Sequence, residues 1–353
     1  AQTSFGTGVI QSIDWQTEIP DVGWITSNGA EPASQTGVAV DGCGDLAFYA
    51  VQTGSSNPFN LNLYAADGTI ILADGMSNGP GLNAVRGGQE LQVIRVPFYS
   101  NEWYVIYSEW STDVGAPISN AAYNPARLMY SRVRLNSTYD LEVLERDILL
   151  EADGAAQFYT DGRAVSRTAF GNLNQHLLYA CRRNEGQSSL SLDRWIITTT
   201  GITWAGNTGT VAVPWWSLTL AGSPMELSPT EDKIAVTCRN QSINQPDVIV
   251  FDALSFNNTN IDVISGGDLV LVPDGTANDL SSVLPYAAPI QTIAADPNLS
   301  LSYLSNFERK LSRIEFSPNG RFLYILNGGF TGLQINLCQI SQEGLSTARK
   351  ATV

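Results

Sequence analysis

Two stretches of this chain repeat one design. Residues 225–236 read Met-Glu-Leu-Ser-Pro-Thr-Glu-Asp-Lys-Ile-Ala-Val, and residues 314–325 read Ile-Glu-Phe-Ser-Pro-Asn-Gly-Arg-Phe-Leu-Tyr-Ile. Each is an apolar strand, a Ser-Pro turn, a polar pair and a second apolar strand. Proline at the second turn position presets φ, and Asn or Gly after it relieves strain. The spacing of Ser228 and Ser317 is close to two units of ~40–45 residues, a period typical of chains built from repeated four-strand units. Degenerate copies of the same strand-turn-strand occur at 40–49, 96–105 and 169–178.

The rest of the chain agrees with a β design. Few windows carry apolar residues at helical spacing with a capping box. Residues 140–150, Asp-Leu-Glu-Val-Leu-Glu-Arg-Asp-Ile-Leu-Leu, are the main segment that reads both ways. Elsewhere, short strands are split by Gly, Asn, Asp, Ser and Pro. Many short strands at even spacing indicate a sandwich, barrel or propeller. The repeat selects an all-β β-propeller of four-stranded antiparallel blades. The expected count is seven, within a range of five to seven. Five blades are placed near 36–75, 89–150, 163–212, 222–262 and 308–345. The reading takes 1–353 as a single propeller domain, with 1–35 as an N-terminal segment closing the ring. Residues 263–307 are an irregular blade or an insertion.

Charge narrows the partners. The chain has 34 acidic and 19 basic residues, a formal net charge of −15, and charged residues make up 15% of it. Lysine occurs only at Lys233, Lys310 and Lys350. Phosphate backbones and anionic membranes are repelled by such a surface, so neither nucleic acid nor membrane insertion is expected. No apolar run approaches the ~18 residues that a spanning helix needs. Solubility in an extracellular or salty setting is the plain reading of the acidity, and collection of Ca²⁺ is the sharper one. Asp67-Gly68, Asp74-Gly75, Asp153-Gly154, Asp161-Gly162 and Asp274-Gly275 lack the EF-hand pattern and read as hairpin or bulge turns. No cofactor is therefore expected, with Ca²⁺ as the alternative.

The four cysteines, Cys43, Cys181, Cys238 and Cys338, form no C-x-x-C pair, which argues against a zinc knuckle. They allow three disulfide pairings, or stay as buried thiols in a core large enough to need no staple. Asn136, Asn240, Asn257 and Asn298 open N-glycan acceptor patterns. The start Ala1-Gln2-Thr3 fits a mature end left by a signal peptidase, so a secreted or cell-surface setting is expected.

Two motifs carry a resemblance. Val40-Asp-Gly-Cys-Gly-Asp-Leu-Ala-Phe-Tyr49 is similar to a first-blade pattern "Ser-x-Asp-x-x-Gly-x-Leu-Leu-Phe-Tyr". Ser317-Pro-Asn-Gly-Arg-Phe-Leu-Tyr324 is similar to a later-blade pattern "Ser-Pro-Asp-Gly-x-x-Leu-Tyr". Across roughly residues 36–345 the chain resembles the WD40-like propeller domains of secreted, multidomain surface proteins of gliding, type IX-secreting Bacteroidetes. That resemblance implies a surface location and a binding or structural role. The glycine-rich, aromatic N-terminal signature of those domains is absent from 1–35, where Trp15 and Trp24 are only loosely comparable.

Catalytic signatures are sparse. His176 is the one histidine, so any Ser-His-Asp or Cys-His arrangement must use it. Gly75-Met-Ser77-Asn-Gly79 matches G-x-S-x-G, but Gly79-Pro80-Gly81 follows, where that motif needs a helix. Paired carboxylates of the glycosidase type have candidates in Asp41, Asp45, Glu109, Asp193, Glu226 and Glu315. Glu226 and Glu315 occupy equivalent repeat positions. Among the tryptophans, Trp110, Trp204, Trp215 and Trp216 fall near strand ends or loops, where aromatics stack on sugars or anchor protein partners. The expected function is a non-catalytic, secreted or cell-surface binding and assembly module for protein or glycan partners, self-assembly included. The alternative is a carbohydrate-active enzyme using axial carboxylates.

Overall fold

The computed structural model describes residues 3–5, 9–14, 21–26, 32–53, 60–72, 78–79, 82–83, 91–109, 127–136, 140–156, 159–169, 171–183, 189–212, 225–240, 245–259, 261–264, 313–316, 322–329, 332–339 and 350–352. Among these there is no helix. β1 (Thr3–Phe5), β2 (Val9–Asp14) and β3 (Asp21–Thr26) form a three-stranded antiparallel sheet.

Among the described residues, five blade-type sheets follow in chain order. The first is β4 (Pro32–Val40), β5 (Leu46–Thr53), β6 (Asn60–Ala65) and β7 (Ile70–Leu72). After the short pair β8 (Asn78–Gly79) and β9 (Leu82–Asn83) comes β10 (Gln92–Arg95), β11 (Glu102–Glu109), β12 (Arg127–Leu135) and β13 (Leu141–Leu149). A second short pair, β14 (Glu151–Ala152) and β15 (Ala155–Ala156), precedes β16 (Tyr159–Val165), β17 (His176–Arg183), β18 (Ser189–Ile197) and β19 (Ile202–Asn207). There β20 (Val211–Ala212) pairs the start of β18. The fourth is β21 (Met225–Leu227), β22 (Lys233–Asn240), β23 (Gln245–Asp252) and β24 (Ile261–Ile264). The fifth is β25 (Arg313–Phe316), β26 (Phe322–Gly329), β27 (Gly332–Gln339) and β28 (Lys350–Thr352).

Each sheet is an up-and-down meander in sequence order, the blade unit of a β-propeller. Each of the five windows expected from the sequence overlaps one of these sheets, although β4 and β16 begin before their windows and β28 lies beyond the last. The doubtful segment 140–150 is strand β13, paired antiparallel along β12 with a register shift partway. One turn expectation is corrected. Asp161-Gly162 lies inside β16, where buried Gly162 sits in a strand interior as glycine does at close backbone approaches. Asp74-Gly75 and Asp274-Gly275 lie outside the described residues, as does most of 263–307.

The chain divides into two compact units. One holds Ala1–Asp161, Arg167–Leu177 and Trp195–Gly206; the other holds Gly162–Ser166, Leu178–Arg194 and Asn207–Val353, so the third sheet contributes to both. In the first unit, β4 and β10 lie side by side. A Cβ on Gly37 would sit 2.6 Å from Val93 Cγ2, so only glycine lets the two strands approach this closely. Behind them, Phe48, Ala50, Leu61 and Leu63 of one sheet pack on Trp103, Val105 and Tyr107 of the next. Phe48 meets Trp103 edge to face at 5.2 Å. In the second unit β21 and β25 are likewise neighbours. First strand beside first strand is the contact expected when blades of a propeller follow one another.

Candidate functional site

In an antiparallel meander, the turns after the first and third strands leave by one edge, and the remaining connections leave by the other. The turns after the first strands share one frame. In the first sheet Asp41 N donates to Asp45 O and Gly44 N to Asp41 O. In the second, Val96 N donates to Glu102 O and Tyr99 N to Val96 O. The third has Ala169 N to Gln175 O and Asn172 N to Ala169 O, and the fourth has Ser228 N to Lys233 O and Glu231 N to Ser228 O. These are the turns that the sequence repeat and its degenerate copies mark.

Side chains lock the frame. Asp41 Oδ1 accepts the backbone N–H of Cys43 (2.8 Å) and of Asp45 (2.9 Å). Ser228 does the same work in the fourth sheet, accepting from Asp232 N at 3.2 Å and Lys233 N at 3.0 Å. Its hydroxyl donates to Asp232 Oδ1 at 2.8 Å. Burial alone would raise the Asp232 carboxyl, but donation from Lys233, Thr230 and Ser228 holds it below its ordinary value. The Ser of the Ser-Pro motif is thus a turn cap.

One turn stands apart from the others by the size of the residue it strains. Each needs a left-handed residue: Gly44 and Gly171 supply it in the first and third sheets, and Glu231, at φ 59°, in the fourth. Gly171 is the third residue of its turn. The same position in the second sheet is Phe98, at φ 68°. A left-handed conformation costs a residue with a Cβ about 1–2 kcal/mol, and a bulky one is rarely found there. Phe98 buries little in return, since it is 77% exposed.

The turn that holds Phe98 is built firmly. Arg95 donates to Val40 O (2.7 Å) and to Asp41 O, tying the first-sheet turn beside it. Asn101 Nδ2 donates to Leu135 O at 2.8 Å, and Leu135 N returns a bond to Asn101 O. Thr199 Oγ1 donates to Pro97 O at 3.3 Å, and Tyr104 OH to Thr198 O at 3.1 Å. Below the turn, buried Glu102 holds Arg132 (2.6 Å) and Arg134 (2.7 Å), and Arg132 stacks over the ring of Tyr99 at 5.6 Å. A rigid base thus presents a ring to solvent.

Phe98 is not alone. Leu173, in the turn after β16, is 80% exposed, and Leu254, in the turn after β23, is 76% exposed. Among the described residues these three are by far the most exposed large apolar side chains. All three leave their own sheet by its tight-turn edge. Single exposed apolar residues are ordinary; three at one kind of edge, one of them strained, are not.

The candidates expected from sequence land elsewhere. Trp204 lies on β19, 38% exposed, while Trp110, Trp215 and Trp216 lie outside the described residues. Asp193 is buried on β18, where Arg182 donates to it at 2.6 and 2.8 Å and Asn207 at 3.1 Å. Asp41 is the turn cap already described, and Asp45 is exposed in the same turn. Glu109 ends β11 opposite Arg127. Glu226 is half-buried opposite Ala235 on β21, and Glu315 stands opposite Tyr324 on the adjacent β25. The two carboxylate residues thus hold equivalent positions in their own sheets, on first strands that neighbour each other. His176 opens β17, half-buried. Asn78-Gly79 of the G-x-S-x-G motif form strand β8, and a strand follows them.

Cys43 is exposed in the first-sheet turn and Cys181 is buried on β17; the side chains of Cys238 and Cys338 lie outside the described residues. Asn136 is exposed, with its Oδ1 accepting Asp140 N at 2.9 Å. Asn257 accepts from Thr259 N and Oγ1 at 3.0 and 2.8 Å. Asn240 ends β22, and Asn298 lies outside the described residues. Among the described residues no group of three or more His, Cys, Asp or Glu stands close enough to hold a metal ion.

One buried polar group invites a test of stability. The register of β12 on β13 shifts around Ser131, and Asp147 takes φ 53° in that bulge. Tyr107 OH donates to Asp147 and lies 2.9 Å from Ser131 Oγ, which accepts Asp147 N at 3.0 Å. Burial holds the Asp147 carboxyl above its ordinary value, against the pull of Tyr107 and Arg146. The folded chain therefore grips that proton more tightly than the unfolded chain. Stability from this group is greatest below the ordinary carboxylate range and falls as pH rises through the raised value. Asp147→Asn keeps an acceptor for Tyr107 and tolerates the left-handed backbone. It is expected to raise the thermal midpoint at neutral pH, with the gain vanishing near about pH 3–4, where the wild-type carboxyl is protonated.

No protein-family model matches the chain, and a comparison with curated proteins gives no match. Solved structures similar to it include Kuenenia stuttgartiensis hydrazine synthase, with TM-score 0.46 and 13% identity over 94% of this chain and 70% of that one. An oligogalacturonate lyase from Vibrio parahaemolyticus gives TM-score 0.37 at 8% identity, over 96% and 88% of the two chains. An endo-arabinase from Bacteroides thetaiotaomicron gives TM-score 0.37 at 10% identity, over 93% and 94%. The class of the protein rests on its own sheets: it is an all-β chain of the β-propeller type.

Proposed function

We propose that this chain is a secreted or cell-surface propeller module that docks on a macromolecular partner through the tight-turn edge of its blades. The observation that carries this reading is Phe98, a large ring held in a left-handed turn and displayed to solvent. Strain that the fold does not use is kept at sites of recognition. The low charged fraction, the Ser-Pro blade pattern and the resemblance to surface propellers of gliding Bacteroidetes support an extracellular setting. Arrays of glycans and of surface-protein ectodomains, probed with the wild-type chain and with Phe98→Gly, test it. Binding that falls at least tenfold in the variant supports the reading; binding indifferent to Phe98 overturns it.

A second reading has its own observation. Glu226 and Glu315 hold equivalent repeat positions on adjacent β21 and β25, and glycoside cleavage uses a pair of carboxylates. If the module were such an enzyme, Glu226→Gln with Glu315→Gln would abolish glycan turnover, a loss on the order of 10²-fold or more. The docking reading expects no turnover by wild type or variant on the same glycans, measured as reducing ends released.

A further inference from the structure

We infer that the partner received at the Phe98 turn is a protein surface that offers an apolar pocket ringed by lysine and arginine. This rests on the docking reading above and adds the chemistry of the partner.

The shape of the feature favours a pocket. Phe98 stands out furthest from its turn, beside the less exposed Tyr99 and Val40, and the turns on either side are held to it by Arg95 and Asn101. A projecting aromatic anchor contributes most when a partner encloses it and strips its water.

The charge around the knob fixes the sign of the rim. Asp45 is exposed in the turn that Arg95 ties alongside, where a Cβ on Gly42 would lie 3.6 Å from Ser100 Cβ. Asp140 is exposed on the other flank, in the β12–β13 turn that begins at the Leu135–Asn101 bonds. Three arginines lie nearby. Arg95 is committed to the carbonyls of Val40 and Asp41, and Arg132 and Arg134 to Glu102, with Arg134 also 3.6 Å from Glu142. The five carboxylate residues Asp41, Asp45, Glu102, Asp140 and Glu142 outnumber these three arginines, so an approaching surface meets a net negative charge, in a chain whose net charge is −15. Such a field speeds encounter with a basic rim and opposes an acidic glycan or an anionic lipid.

The test uses the full chain, immobilised, and three probes: an amphipathic Lys/Leu helical peptide, its Glu/Leu counterpart and a neutral hexasaccharide. Phe98→Gly removes the knob, and the pair Asp45→Asn with Asp140→Asn removes the flanking charge. Urea unfolding of each variant confirms the fold. The proposal expects binding of the Lys/Leu peptide alone, weakened at least tenfold by Phe98→Gly. It also expects association slowed several-fold by the Asn pair and by added salt, with dissociation little changed. Lys/Leu binding indifferent to Phe98 is general attraction to an acidic protein and overturns both the partner and the docking reading. Binding of the Glu/Leu peptide or the hexasaccharide that needs Phe98 keeps the docking reading and overturns the basic rim. Lys/Leu binding that needs Phe98 but ignores both salt and the Asn pair does the same.

Discussion

Replacing Trp103 with alanine is expected to destabilise the chain by about 3–5 kcal/mol, the usual loss for a large aromatic deleted from a packed core. Trp103 is wholly enclosed between the first two blades, edge to face against Phe48 and surrounded by Leu61, Leu63 and Val133. The space it leaves is walled by residues of two sheets. Those sheets cannot close on it, because Gly37 and Val93 already hold β4 and β10 at contact distance. Urea unfolding checks this: the midpoint should fall with little change in slope. The result separates two kinds of aromatic. Trp103 holds blades together, whereas Phe98 contributes to no core, so the two substitutions must act on different properties.

Asp193→Ala is expected to cost a similar amount, about 3–5 kcal/mol, by stranding the guanidinium of Arg182. Asp193 is buried and takes two bonds from Arg182 and one from Asn207. A second substitution, Arg182→Met, should restore much of the loss, since the penalty belongs to the unpaired charge and not to the missing carboxylate. Thermal unfolding of the single and double variants reads this directly. Were Asp193 a catalytic acid, the single variant would fold normally and lose activity instead, and Arg182→Met would rescue nothing.

Both sites show where sequence reasoning runs out. The blade windows were legible because the apolar alternation has period two and because turn chemistry is local. The Ser-Pro pair at Ser228 and the Asp-Gly turn at Asp67 announce themselves within four residues, and Asp67 does bond the backbone N–H of Thr69 at 2.8 Å. Segment 140–150 was ambiguous because its charged residues hide the alternation, and the bulge at Asp147 shifts its phase. Asp161-Gly162 misled because the dipeptide that makes a hairpin turn also fits a tightly packed strand.

The candidate site was less legible. Asp193 looked available because its partner Arg182 lies eleven positions back and is met only through the folded sheet. In the sequence Phe98 reads as one more apolar residue in a polar turn. Its sign was present: Pro97 presets a turn whose next position favours Gly or Asn, and Phe stands there. What the sequence could not supply was the exposure of the ring, which depends on Arg95, Asn101 and Thr199 holding the turn clear of the core.

The unfolding free energy of Phe98→Gly measures whether that ring belongs to the fold or to a partner. Glycine relieves the left-handed strain and loses some entropy of its own, so an unused ring predicts a change between zero and a gain of about 1 kcal/mol. A loss of more than about 1 kcal/mol would mean that Phe98 packs against something in the folded chain. The turn would then be structural, and the docking account would fail.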